Sequence, residues 1–271
     1  MQNRRLIDAH MHLWDLEAHH HPWLVDHPLG KSYLLKDYLN ESTRYRFEKA
    51  VHVQAGIDRS DSVLETAWIE KVSDEAAFPL AIVGYVDLSK PDCERVLEEH
   101  LAYPHFVGVR QILHDELDFL SILKWRKNIA LLGKHELVFD AQIKPDQVDA
   151  LCEVISNSQN VFVIEHLCLP QQSDTEYFEY WQKQMKKLAQ FDHVFIKLSD
   201  IVNPERYFQA TIELFGVERC MFGSNFPVDK QYKSLDQLYD GYTQLCESMS
   251  LTDIERDLLF SENAELVYFG N

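Results

Sequence analysis

Eight short apolar, β-branched runs recur along the chain: Leu6 to Trp14, Ala50 to Gly56, Leu80 to Leu88, Val107 to Leu113, Leu137 to Ile143, Val161 to Leu167, Val194 to Leu198 and Cys220 to Phe226. Between them lie segments with helical spacing, such as Val63, Ala67, Ile69, Val72 and Ala76, or Leu235, Leu238, Tyr242 and Leu245. Continuously apolar strands joined by helix-length connections can bury themselves only in a parallel sheet covered on both faces. Eight such units in roughly 250 residues predict an α/β fold closed into a (β/α)8 TIM barrel. An open doubly wound sheet is the competitor, but no G-x-G-x-x-G turn follows a strand and the chain has only 9 glycines. With no linker or composition break, residues 1–271 read as a single domain. The His-, Pro- and Tyr-rich stretch from Asp15 to Tyr45 is then a long first βα loop over the barrel mouth.

Charge narrows the function. A formal net charge of -18, from 44 acidic and 26 basic residues, repels nucleic acid and anionic membrane surfaces. The densest basic group, Lys183, Lys186 and Lys187, recurs along a predicted helix as its solvated face. Five scattered cysteines without C-x-x-C spacing indicate a reducing compartment. No apolar run approaches the roughly 20 residues that span a bilayer, and Met1 to Arg5 lead straight into a strand. The expected protein is soluble and cytoplasmic, has no nucleic-acid or membrane partner, and is compatible with a homo-oligomer.

In a barrel of this kind, polar residues at the C-terminal strand ends face the active-site mouth. Those ends supply His10 and His12, Gln54, Asp87, Arg110 and His114, Asp140, Glu165 and His166, Lys197 and Ser199, and Ser224 and Asn225. Any one of them, Gln54 or Ser199 for example, is equally explained by hydrogen bonding along the rim. The set is harder to dismiss. His10 and His12 stand two apart on a strand and so share a face. Three histidines with an Arg and a Lys in one basin would repel if protonated, and a metal ion or an anionic substrate resolves that repulsion. The run His19, His20 and His21 reads as solvated or lid-packing, and His52, His100, His105, His135 and His193 as structural. Asp58, Asp61, Asp115, Glu116 and Asp118 read as helix caps. Asp140 differs in ending a buried strand, and Asp229 closely follows Asn225.

A family resemblance rests on Asp8-Ala-His10-Met-His12-Leu-Trp14, Pro22-Trp23-Leu24, Val53-Gln54-Ala55, Gly84-Tyr85-Val86-Asp87-Leu88, Gly108-Val109-Arg110-Gln111, Glu165-His166-Leu167, Lys197-Leu198-Ser199 and Phe222-Gly223-Ser224-Asn225-Phe226-Pro227-Val228. In this order the motifs resemble the amidohydrolase-related TIM-barrel hydrolases. More narrowly, they are similar to the branch of sugar-acid lactonases such as L-fuconolactonase and L-rhamnonolactonase, with sulfomuconolactone hydrolase and pyrone-dicarboxylate lactonase. The resemblance implies a divalent metal, Zn2+ foremost, on His10, His12 and His166. It implies catalytic roles for His166, Asn225, Asp140 and Arg110, and substrate contacts from Gln54, Arg110, Lys197 and Trp14. The implied reaction is hydrolysis of a small lactone or related ester; the basic side chains at the mouth of a chain of charge -18 favour a small anionic or polyhydroxylated ligand.

Two departures stand out. The sixth-strand motif has Cys168 where relatives often carry Gly, a change expected to alter packing and the rim. More consequentially, Asn225 occupies the place of the usual catalytic Asp, and an amide neither accepts a proton at neutral pH nor offers a charged ligand. Three outcomes follow: hydrolysis with Asp140, Asp229 or His166 as base, lactone hydrolysis independent of metal, or binding of a small acid or sugar without turnover. Decarboxylation, known elsewhere in the superfamily, is a further alternative.

Overall fold

The computed structural model describes residues 4–114, 123–172, 174–199 and 205–270. Eight parallel strands follow in chain order: β1 (Ile7–Met11), β2 (Lys49–Val53), β3 (Leu80–Gly84), β4 (Phe106–Ile112), β5 (Val138–Gln142), β6 (Phe162–Ile164), β7 (Val194–Leu198) and β8 (Cys220–Phe222). The α-helices are α1 (Leu35–Leu39), α2 (Ser62–Ala76), α3 (Cys93–His100), α4 (Leu123–Lys134), α5 (Val148–Ile155), α6 (Thr175–Leu188), α7 (Glu205–Phe215), α8 (Leu235–Ser248), α9 (Asp253–Asp257) and α10 (Asn263–Tyr268). The ring closes where the chain beyond β8 meets β1: the Asn225 amide donates to the His10 carbonyl at 2.8 Å, and the His12 amide to the Phe226 carbonyl at 2.7 Å. This is the expected single-domain (β/α)8 barrel. Asp115, Glu116 and Asp118 lie outside the described residues.

Two apolar layers hold it. Inward residues of successive strands, among them Ala9, Val51, Val83, Val138, Val163 and Met221, pack with Ala264, Val267 and Tyr268 of α10. Outward residues such as Leu80, Phe139, Phe162 and Phe222 pack under helical residues such as Trp125, Trp181 and Tyr239. Continuous apolar strands are the sequence signature of this double burial. All five cysteines are free thiols. Among the described residues no helix is long and apolar enough to cross a membrane.

Several strands stop earlier than their apolar runs. The sixth run departs most sharply: β6 ends at Ile164, and His166, Leu167, Cys168 and Leu169 all take positive φ, from 46° to 62°. Four consecutive non-glycine residues in the left-handed region cost about 1–2 kcal/mol each. The turn is held by burial of Leu167 and Cys168, by the Leu169 amide on the His166 carbonyl (2.8 Å) and by the Trp181 indole on the Leu167 carbonyl (2.8 Å). Cys168, at φ 62°, therefore occupies a backbone position that favours Gly, and its departure from the family pattern bears on conformation as well as packing.

The closing seam tolerates no side chain at Gly223. A Cβ there would lie 2.7 Å from the His10 Cβ and 3.1 Å from the His10 backbone nitrogen. Gly223→Ala is expected to cost about 1–3 kcal/mol by forcing β1 and β8 apart, read as a lowered urea midpoint with unchanged slope. An unaltered midpoint would show that the seam is loosely packed.

Candidate active site

The strands deliver their polar ends to one mouth. In β1, a register shift between Asp8 and Met11 inserts an extra residue and re-aims His10 into the barrel beside His12. The mouth encloses a cavity of about 300 Å3 lined by His12, Gln54, Arg110, Gln142, His166 and Asn225, with Trp23 and Ile112 as apolar walls. Trp23 comes from the long first loop, and its indole bonds the Ala55 carbonyl at 2.7 Å. His21 of the histidine run faces the same carbonyl at 3.1 Å, which is the lid-packing role expected of it.

The three histidines come together. His10 Nε2 and His12 Nε2 are 3.1 Å apart, and the His10 and His166 ring centroids 4.6 Å. His12 Nδ1 donates to the Val53 carbonyl at 2.7 Å, which leaves its Nε2 lone pair free. His166 Nδ1 meets Ser199 Oγ at 2.8 Å. Burial, then the charges of Lys197 for His10 and of Arg110 for His12, hold both imidazoles well below the usual histidine range, so they are neutral. A divalent ion fits His10 with His166 and Glu165, whose ligand atoms come together, and His12 adjoins that group through His10. The Nε2 separation is close to the ~3.3 Å edge of a tetrahedron with bonds near 2.05 Å. Ligand atoms of His10, Glu165 and His166 lie within 4.8 Å of one another, and the buried Glu165 Oε1 has no hydrogen-bond partner.

Beneath the histidines runs a buried ionic network. Arg110 Nε donates to Glu165 Oε2 at 2.9 Å, and its Nη2 to Gln142 Oε1 at 2.7 Å. Lys197 Nζ donates to Asp140 Oδ2 at 2.5 Å, and the Tyr268 hydroxyl to the same carboxylate at 2.9 and 3.1 Å. Burial pushes the Glu165 carboxyl up, but Arg110, His166 and Lys197 outweigh it and hold it below the usual range. For Asp140 burial prevails and raises the carboxyl, against the pull of Lys197.

Three expectations change here. Asp140 is mid-strand, since β5 runs on to Gln142; it is fully buried and tied to Lys197 and Tyr268, so it has no path to a water in the cavity. Lys197 is also fully buried and serves Asp140 rather than a substrate. Trp14 is fully buried as well, its indole on the Lys31 carbonyl at 2.7 Å and its rings against Tyr33 and Trp23, so it anchors the loop instead of touching ligand. Gln142 and Trp23 were missed as lining residues. The apolar run after Leu137 obscured where β5 ends, and an exposed loop indole carries no strand-end signal.

Asn225 sits at φ 48°, a region its side chain tolerates, and donates through Nδ2 to Asp229 Oδ1 at 2.8 Å. With Nδ2 so engaged, Oδ1 remains as the acceptor of a residue that lines the cavity. Asp8 clamps the seam from outside, accepting from the Ser224 amide at 2.8 Å, the His10 amide at 3.2 Å and the Tyr38 hydroxyl at 3.0 Å. Burial raises its carboxyl to about 6. A raised carboxyl binds its proton more tightly in the folded state, so this contribution is full at pH values below about 4 and is lost as pH rises to about 6. Asp8→Asn should therefore gain about 2–3 kcal/mol relative to the native chain between pH 4 and pH 7, by urea unfolding. Parallel stability curves would refute the raised value.

The comparisons with known proteins agree with this geometry. The family model described as amidohydrolase matches residues 7–270. The uncharacterized protein y4mH of Sinorhizobium fredii is 33% identical, with 99% of each chain covered. An L-fucono-1,5-lactonase of Burkholderia multivorans is 28% identical over 97% of this chain and 95% of its own. A crystal structure of an amidohydrolase from Burkholderia multivorans with bound zinc superposes with a TM-score of 0.85 at 25% identity, covering 98% of this chain and 99% of that one. On the matched span and the shared barrel, this chain belongs to the amidohydrolase family.

Proposed function

We propose that the chain hydrolyses the ring ester of a small, uncharged, polyhydroxylated lactone. The observation that carries the substrate class is the charge balance of the cavity. Of its described lining residues only Arg110 is formally charged, and Glu165 already neutralises it. Lys197, the other cation expected to cradle an anion, is spent on Asp140. What faces the ligand is a set of amides and imidazoles, Gln54, Gln142, Asn225, His12 and His166, beside the Trp23 ring. Such a surface matches hydroxyl groups and a sugar ring face. The L-fucono-1,5-lactonase relatives support the same reading.

Hydrolysis needs a positioned water, a stabilised oxyanion and a proton acceptor. Asn225 Oδ1 accepts a hydrogen bond from the attacking water, held in place by the Nδ2 contact to Asp229. The Arg110 donors not engaged by Glu165 and Gln142 meet the carbonyl oxygen as negative charge builds on it. Among the described carboxylates near the cavity Asp140 is sealed below and Glu165 is paired with Arg110; Asp229, bonded to the water-holding amide, takes the proton and passes it to the departing ring oxygen. His10, His12 and His166 would hold a divalent ion, Zn2+ by the precedent of the zinc-bound structure; when bound it polarises the ester carbonyl and acidifies water.

A matched pair of substrates tests the charge argument. Proton release should show kcat/KM for a neutral aldono-1,5-lactone at least tenfold above that for the same ring bearing a free carboxylate. The reverse preference would overturn the neutral-substrate reading.

A further inference from the structure

His10 Nδ1 stands between a donor and an acceptor at equal distance: Lys197 Nζ at 3.4 Å and Glu165 Oε1 at 3.4 Å. A neutral imidazole carries one hydrogen, and each choice of nitrogen completes a different chain of bonds. With the hydrogen on Nε2, Lys197 donates to Nδ1 and Nε2 donates to His12 Nε2, whose own Nδ1 hydrogen is on the Val53 carbonyl. That arrangement satisfies both rings and leaves Glu165 Oε1 without a partner, as observed. With the hydrogen on Nδ1, Glu165 Oε1 at 3.4 Å is the acceptor beside it, brought into line by a small turn of the carboxylate. The His10 and His12 Nε2 lone pairs then face each other at 3.1 Å, an arrangement that only a cation makes favourable.

We propose that His10 is a two-tautomer ligand, switched between Lys197 and Glu165 by metal loading. Metal-free, Lys197 holds the Nε2–H form. Lys197 is itself positioned from the barrel floor, by Asp140 and by the Tyr268 ring, 5.0 Å from Nζ, and the Tyr268 hydroxyl fixes Asp140 in turn. As the ion arrives, one hydrogen leaves Nε2 and one is bound at Nδ1, where Glu165 accepts its bond. The ring stays neutral and gives up no net proton. Lys197 and Glu165 are thus opposed positioning residues, the first resisting metal capture and the second rewarding it. The inference rests on the metal site named above and not on which ester is hydrolysed.

Long-range 1H–15N spectra of the imidazoles read the tautomer directly, with His10→Gln assigning the signals. The metal-free native chain should show His10 as Nε2–H, and the chain loaded with Zn2+ as Nδ1–H. Glu165→Gln should weaken Zn2+ binding roughly 10–100-fold in competition with a chelator, the range for losing an outer-sphere partner. Lys197→Met should move the metal-free spectrum to Nδ1–H and tighten Zn2+. An Nδ1–H signal in the metal-free native chain, or one tautomer in both states, overturns the proposal; should His10→Gln not fold, the imidazole signals displaced by Zn2+ on the native chain serve for the assignment. Failure to bind Zn2+ overturns it together with the metal site, while lactone turnover, measured separately, would still stand or fall on its own.

Discussion

Replacing Arg110 by methionine will lower the free energy of unfolding by about 3–5 kcal/mol at pH 8, because it leaves Glu165 ionised, buried and uncompensated. The pH dependence gives the mechanism away. In the native chain Glu165 is held below its ordinary value, so its contribution is present at pH values above about 4.5 and is lost as pH falls through the depressed value. Removing the main charge that depresses it lets burial raise the carboxyl, and the penalty then shrinks as acid protonates Glu165. Arg110→Met combined with Glu165→Gln should recover most of the loss, which urea unfolding across pH 5–8 will measure. Equal destabilisation by the single and the double substitution would mean that Arg110 acts by packing alone.

His166→Asn is expected to reduce kcat/KM for lactone hydrolysis by roughly 10²–10³-fold, the scale for removing one preorganised polar group at a reacting centre. Asparagine is the informative substitute because it tolerates the left-handed φ of 52° and so preserves the turn while removing the imidazole. The free energy of unfolding in urea should change by no more than about 1 kcal/mol. A large loss of stability with unchanged kcat/KM in the surviving folded enzyme would show that His166 is a structural residue of the turn.

The barrel was legible because its signal is redundant. Eight apolar runs and their helical connections each carry the same instruction, and early termination of individual strands leaves the topology intact. The converging residues His10, His12, His166, Arg110 and Asn225 were legible for a related reason, since strand ends in a closed barrel have one place to point. What escaped was pairing. Lys197 and Asp140 looked like two independent mouth residues, yet they satisfy each other at 2.5 Å beneath it. Nothing in a one-dimensional reading reveals that Tyr268, 128 positions from Asp140, reaches into the barrel to complete that pair. The left-handed turn after Ile164 was equally hidden, because Leu167 and Cys168 have the apolar look of a continuing strand. The two cations that seemed available to an anion, Arg110 and Lys197, are paired with Glu165 and Asp140, which is why, of the anionic and the polyhydroxylated ligand expected, the proposed substrate is the polyhydroxylated one.

The central proposal is that this cavity performs chemistry with an amide, Asn225, where the family resemblance implies a carboxylate. It is tested most directly by proton release from a neutral aldono-1,5-lactone, with the native chain and Asn225→Asp assayed side by side above the spontaneous rate. The account predicts turnover by the native chain, lost in Asp229→Asn. No turnover of any lactone by the native chain, with activity appearing only in Asn225→Asp, would contradict it and leave a binding protein on a hydrolase scaffold.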